Sequence, residues 1–218
     1  MSLDNFNSII NSEYAIAFNG GFIYNAQSKL TISESLIDAE VGRDLLLFLK
    51  QYSTDVVAYY DNRLWLDSDS EIKLRYAARS KLKPSYIDDL RKLAFDINKA
   101  LVISDSPELL ARIEADFKRS KLVGALSACY SSKRMLEFNP INIDKGSAIS
   151  DFCSYLGIDA SKTIAIGDNQ NDIPMLCAAG LGIATQNATE ETKNSSDYIT
   201  IASNDDNAIA EVINKFCL

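Results

Sequence analysis

With 218 residues, 47% of them hydrophobic, the chain can bury a sizeable core in one large domain or two small ones. Its formal charge of −8 opposes binding to nucleic acid or an anionic membrane, because affinity for either comes largely from lysine and arginine. Histidine is absent, which excludes Ser-His-Asp and Cys-His catalysis and the H-E-x-x-H zinc site; carboxylates, lysine, hydroxyls or a hard metal ion must carry any chemistry. No apolar run approaches the roughly 18 residues needed to span a bilayer, and no signal-peptide pattern opens the chain, so a soluble, cytoplasmic protein is expected. Cys129, Cys153, Cys177 and Cys217 form no C-x-x-C pair and are expected as buried free thiols.

Residues 14–24 are two short apolar runs around Asn19-Gly20-Gly21, the composition of a hairpin. From Ser33 to Tyr52, the apolar positions Leu36, Ile37, Leu45, Leu46, Phe48 and Leu49 predict an amphipathic helix. Residues 56–60 and 64–66, joined by Asp61-Asn62, predict a hairpin. A second round begins near Pro84: residues 100–103 read as a buried strand, and Ser106-Pro107 opens a helix whose face is Leu110, Ile113 and Phe117. Residues 123–130 and 135–138 read as further strands. Helices and strands alternate here without a uniform crossover pattern, so this stretch is predicted to be a separate α+β module.

From Asp144 the rhythm becomes regular. A helix carrying Ile149, Phe152, Cys153 and Leu156 precedes the strand 163–166 and a helix over 173–179. Then come a strand at 181–184, a polar helix near 189–194, a strand at 198–201 and a last helix over 206–216 with Asp205-Asp206 as caps. Such β-α-β-α alternation predicts a mostly parallel sheet covered on both faces.

The strand 163–166 ends in Gly167-Asp168-Asn169-Gln170-Asn171-Asp172. Ligands of open α/β sheets bind beyond the carboxyl ends of the strands, which is where Asp168 falls, and Gly167 is expected to let the backbone turn. Asp172 follows as the next helix begins, so two carboxylates and the Asn171 amide can converge on an oxygen-lined site for a hard cation such as Mg2+. The plainer alternative is a polar turn in which Asp168 caps the loop and Asp172 caps the helix. At residue frequencies of about one in eighteen, a chance Gly-Asp-x-x-Asn-Asp in this chain has odds of roughly one in 500, which favours the cation site.

This motif resembles that of the haloacid dehalogenase-type (HAD) superfamily, specifically its Cof-type sugar-phosphatase branch. Asp144-Lys145-Gly146-Ser147, after the strand at 135–138, looks like the family's lysine motif at the head of a helix. Phe18-Asn19-Gly20, Gln186-Asn187-Ala188 and Asp197-Tyr198-Ile199-Thr200 are similar to further positions of the branch, so the resemblance spans nearly the whole chain. It implies an α/β fold: a HAD-like Rossmannoid parallel-sheet core over residues 1–30 and 134–218, N-terminally incomplete, with an inserted α+β cap domain over 31–133. It also implies a Mg2+-dependent phosphohydrolase of small phosphorylated metabolites acting through an aspartyl-phosphate. Lys145 would be the catalytic lysine, neutralising the phosphoryl group, and Asp168 and Asp172 would hold the metal. Asn19, Gly20, Asn171 and Asn187 would line the substrate and phosphate site.

The sequence departs from the family at its start. The family's first strand ends in Asp-x-Asp-Gly-Thr, whose aspartates are nucleophile and general acid and base, whereas residues 1–13 contain only Asp4 as an aspartate. Leu66-Asp67-Ser68-Asp69-Ser70 is considered as a displaced nucleophile and read instead as a solvated loop with helix-capping aspartates. Without a nucleophile the chain is expected to be a fragment, a truncated gene product or a non-catalytic relative, and the alternative function is a silent phosphate-binding or interaction module. Missing strands would expose sheet edges, so a homo-oligomer is expected.

Overall fold

Strand β1 (Tyr14–Ala17) pairs antiparallel with β2 (Phe22–Asn25), and β2 with β3 (Leu30–Glu34), in the computed structural model, which describes residues 12–218. The expected hairpin is present, turning through Asn19 in the left-handed region (φ 54). The predicted helix from Ser33 begins later: residues 31–33 continue β3, Ile37 bridges to Ile97, and α1 (Ala39–Lys50) starts where the Asp38 carboxylate accepts the Glu40 N–H. A capping aspartate and a long-range strand bridge together override helical spacing here.

Strands β4 (Asp55–Tyr60) and β5 (Arg63–Leu66) form the second hairpin across Asp61 and Asn62, both at positive φ. Asp and Asn tolerate that conformation, and such two-residue turns match the twist of the flanking strands. Helix α2 (Glu71–Ser80), β6 (Pro84–Tyr86), β7 (Lys99–Ile103), α3 (Pro107–Lys118), β8 (Leu126–Ser132) and β9 (Met135–Pro140) complete a six-stranded sheet of order β6-β5-β4-β7-β9-β8. Only β5–β6 is parallel.

Strand alternation gives this sheet two different faces. Val56, Ala58, Ala100, Val102, Leu136 and Phe138 share one buried cluster with Leu45 and Leu49 of α1 and Leu110, Ile113 and Phe117 of α3. Each Val, Leu, Ile or Phe side chain among them stabilises the fold by about 1.5–3 kcal/mol on full burial. Val57, Tyr59, Leu64, Leu66, Leu101 and Ile103 form a second cluster with Ala77 of α2. Glu137 and Asn139 alternate with Leu136 and Phe138, which places them on this second face, and both are buried.

From Asp144 onward the structure is a three-stranded parallel sheet, β10 (Ile164–Gly167), β11 (Leu181–Ala184) and β12 (Tyr198–Ile199), in that order, as the rhythm predicts. Its helices are α4 (Lys145–Leu156), α5 (Ile173–Ala178), α6 (Glu190–Asn194) and α7 (Ala208–Phe216). Strand β12 is shorter than predicted because the Glu211 carboxylate accepts the backbone N–H groups of Ile201 and Ala202, ending the ladder. Asn207 holds the position before α7, so Asp205 and Asp206 are not its caps; Asp206 accepts from the Ser203 hydroxyl.

Contacts divide the chain between Ile143 and Asp144, C-terminal of the expected boundary at 133/134. The reason lies in β9, which hydrogen-bonds to β7 and β8 and so belongs to the six-stranded unit; β1 and β2 fall in that unit as well. Residues 1–11, with Asp4, lie outside the described residues. Cys153 is a buried free thiol as expected, but Cys129 is half-buried and Cys177 and Cys217 are exposed, their chain positions facing solvent rather than core. Among the described residues no helix is long and apolar enough to cross a membrane.

Candidate functional site

In the parallel-sheet unit, Asp144 accepts the N–H groups of Gly146 and Ser147 while the Ser147 hydroxyl accepts from the Asp144 N–H, a reciprocal cap that fixes where α4 begins. Lys145 is therefore the first residue of that helix, half-buried, with Nζ 2.5 Å from Oδ1 of Asp172.

Asp172 is the pivot. Its other oxygen, Oδ2, accepts the backbone N–H groups of Asp168 (2.9 Å) and Asn169 (3.0 Å), so one carboxylate closes the loop after β10 and holds the lysine. Gly167 is needed for space rather than for turning: its φ is not positive, and a Cβ there would collide with the Asp172 side chain. Burial opposes the charged form of Asp172, but the Lys145 charge, its hydrogen bond and the two backbone N–H groups outweigh it and hold the carboxyl below its ordinary value. Asp172 is ionised at neutral pH.

Asp168 sits at the carboxyl end of β10, half-buried, where the sheet rule places a ligand site. Its Oδ1 accepts from the Asn169 amide (2.9 Å) and its Oδ2 from the Asn204 amide (3.1 Å). Asn187 is one step removed: its Oδ1 accepts the Asn204 N–H (2.9 Å) and its Nδ2 donates to Asn204 Oδ1 (3.0 Å). Asn171 lies in the single turn Gln170–Asp172 of the same loop. Of the expected site residues, Lys145, Asp168, Asn171, Asp172 and Asn187 thus belong to this unit, while Asn19 and Gly20 belong to the six-stranded one.

Asn169 and Asn204 are additions that sequence reading did not single out. Asn169 stood inside the motif. Asn204 sits in the polar stretch Ser203-Asn204-Asp205-Asp206, where its contacts with Asp168 and Asn187 set it apart.

The donor set fits a magnesium ion. It is all oxygen, and Mg2+ usually binds through one or two carboxylates, completing its shell with water and phosphate. Among the described residues no group of three or more histidine, cysteine, aspartate or glutamate side chains is gathered to hold a metal ion.

In the six-stranded unit, Asp67 does not cap the next helix; Ser70 does, accepting from the Lys73 N–H. Asp67 is instead 2.5 Å from Nζ of Lys73, whose side chain is only 4% exposed, and so neutralises a buried cation.

A family model described as haloacid dehalogenase-like hydrolase matches residues 2–213. The chain is 31% identical to the 5-amino-6-(5-phospho-D-ribitylamino)uracil phosphatase of Bacillus subtilis, over 92% of this chain and 77% of that protein. Among solved structures, a haloacid dehalogenase-like hydrolase from Bacteroides thetaiotaomicron superposes with a TM-score of 0.83 at 26% identity, covering 96% of this chain and 80% of that one. A Thermotoga maritima protein gives 0.78 at 28% identity over 98% and 81%.

Proposed function

This chain belongs to the haloacid dehalogenase-like hydrolase family, and from that premise we propose that its parallel-sheet unit is the magnesium- and phosphate-binding part of a cytoplasmic phosphohydrolase of small phosphorylated metabolites. The six-stranded unit is then the family's cap. The observation that carries the reading is the Lys145–Asp172–Asp168 arrangement, a cation and two carboxylates organised by one loop at a strand's carboxyl end.

Each residue has a separate task. Lys145 presents an ammonium that Asp172 holds in place, and its 31% exposure leaves it able to meet a phosphoryl oxygen as well. Asp168, oriented by Asn169 and Asn204, is the carboxylate best placed for Mg2+, with Asp172 beside it in the same loop. Held by Asp168 and Asp172, Mg2+ would supply charge neutralisation to a phosphoryl group. The aspartyl-phosphate route also needs an attacking aspartate, and no Asp-x-Asp-Gly-Thr occurs in the 218 residues. That observation favours a second reading for this polypeptide by itself, a module that binds without turnover.

The two readings separate in one experiment. Calorimetric titration of the full chain with Mg2+ and inorganic phosphate is expected to show binding, while p-nitrophenyl phosphate with Mg2+ is expected to show no turnover. Turnover abolished by Asp67→Asn would restore the displaced nucleophile, and absence of phosphate binding would remove the phosphate site.

A further inference from the structure

The hairpin of β2 and β3 and the turn between β4 and β5 border a cavity of about 320 Å3, at the small end of the range for small-molecule sites. Phe18, Phe22 and Tyr24 give it an aromatic wall, with Phe18 edge-on to Phe22 and Phe22 stacked on Tyr24 at 5.9 Å between ring centres. Alternation along β2 puts Phe22 and Tyr24 on one face of the hairpin, and Glu34 of β3 pairs directly across from Phe22. Asp61 brings a second carboxylate from the β4–β5 turn, where its backbone is left-handed (φ 50).

The charge of this cavity is one-sided. Glu34 and Asp61 are the only charged residues in its walls, and among the described residues neither forms an ion pair. Elsewhere in the six-stranded unit, by contrast, Asp67, Asp89 and Glu137 each meet a lysine or arginine. Asn98 adds a buried acceptor. It lines the same cavity at only 3% exposure, and its Nδ2 donates to Glu34 Oε1 at 3.2 Å. A carboxylate only accepts, so the amide cannot be turned over, and its Oδ1 is an acceptor to which no described residue donates. Leaving such an acceptor unmatched costs stability, which a ligand N–H would recover.

Aromatic faces and free carboxylates both attract cations, and a carbonyl oxygen among them selects a cation that carries N–H groups. We infer that this cavity binds a protonated aliphatic amine, a small alkylammonium ion whose N–H groups are taken by Asn98 Oδ1 and the Glu34 carboxylate, while Asp61 and the rings of Phe22 and Tyr24 stabilise its charge. A quaternary ammonium ion lacks those N–H groups, and an anion is repelled. The site lies wholly in the six-stranded unit and does not depend on phosphate binding in the other.

The test is a nitrogen-15 NMR titration of the full chain with 1,4-diaminobutane, with 1,4-butanediol and with tetramethylammonium, reading the Asn98 side-chain NH2 pair and the backbone amides of Asp61, Asp205 and Asp206. Diaminobutane is expected to move the Asn98 pair and the Asp61 amide, and the diol and the quaternary ion to move them far less. Asp205 and Asp206 control for the general pull of a chain of charge −8 on any cation. Glu34→Gln and Asp61→Asn should each weaken diaminobutane about threefold, the effect of one solvent-exposed charge pair. Asparagine suits the left-handed turn and glutamine keeps an oxygen for the Asn98 amide, so both variants should fold. Tyr24→Leu should weaken binding too, through the lost ring face. Diaminobutane leaving the Asn98 pair unmoved, the diol or tetramethylammonium matching it, Asp205 and Asp206 moving as far as Asp61, or unchanged affinity in both carboxylate variants would overturn the inference.

Discussion

Two lysine–carboxylate pairs, one in each unit, have nearly the same geometry and different settings. Lys145 is 2.5 Å from Asp172 and Lys99 is 2.6 Å from Glu137, and both carboxylates are buried. The lysines differ: the Lys145 side chain is 31% exposed and that of Lys99 12%. Where the cation is enclosed with its partner, the pair can only organise its neighbours, as Glu137 does Asn19 by accepting its amide N–H. Where the cation reaches solvent, the same bond leaves it accessible to a second anion. Access to the lysine separates these roles, and the ion-pair distance does not.

The largest effect expected from this contrast is in the enclosed pair. Glu137→Leu leaves the Lys99 ammonium buried without its carboxylate, which costs about 3–5 kcal/mol, and urea denaturation should register it. Lys99→Met added to it should recover most of the loss, because replacing both partners with apolar groups removes the unpaired charge. A double variant as unstable as the single one would mean that packing, not charge, matters there. Lys145→Met, by comparison, should shift the urea midpoint far less, since Asp172 keeps two backbone donors, yet it should reduce phosphate affinity.

Smaller, but specific to the exposed site, is Asn204→Ala. It alters no charge, yet Asn204 orients Asp168, and loss of a group supporting a metal ligand typically costs about 10–100-fold in metal affinity. Mg2+ calorimetry on the folded variant measures this; unchanged affinity would remove Asn204 from the site.

The smallest effect is in acid. Asp172 titrates below its ordinary value of 3.8 in the folded protein, so the stability it contributes is present above that value and is lost as pH falls through the folded one. Asp172→Asn should therefore lose stability relative to the native sequence at pH 6, and that difference should shrink below about pH 3.8. Urea midpoints at the two ends of this range give the comparison, and a constant difference would count against the ion pair.

These contrasts also show what the sequence could convey. Local rules reached far: Asp61-Asn62 announced its turn, Ser106-Pro107 its helix, and the sequence around Asp168 the strand, loop and helix found there. The rest depended on partners distant in the chain. Glu137 reads as one polar residue in an apolar strand, and only Lys99, thirty-eight residues earlier, explains its burial. Strand β12 stops where it does because of Glu211, and α1 begins late because Ile37 bridges to Ile97. The contact boundary moved for the same reason, since β9 is a strand in either unit until its pairing is known.

The carboxylate of Glu211 has a reach beyond the strand it ends. It fastens the last helix to the backbone of Ile201 and Ala202, two residues before Asn204, which touches Asp168 and is gripped by Asn187. The last helix is thus a guy-line for the loop that carries Asp168. Trimming that helix, or crowding it with a bulky fusion, would slacken Asp168 without altering any residue of the Gly167–Asp172 loop, whereas a tag placed elsewhere on this unit would leave those bonds intact.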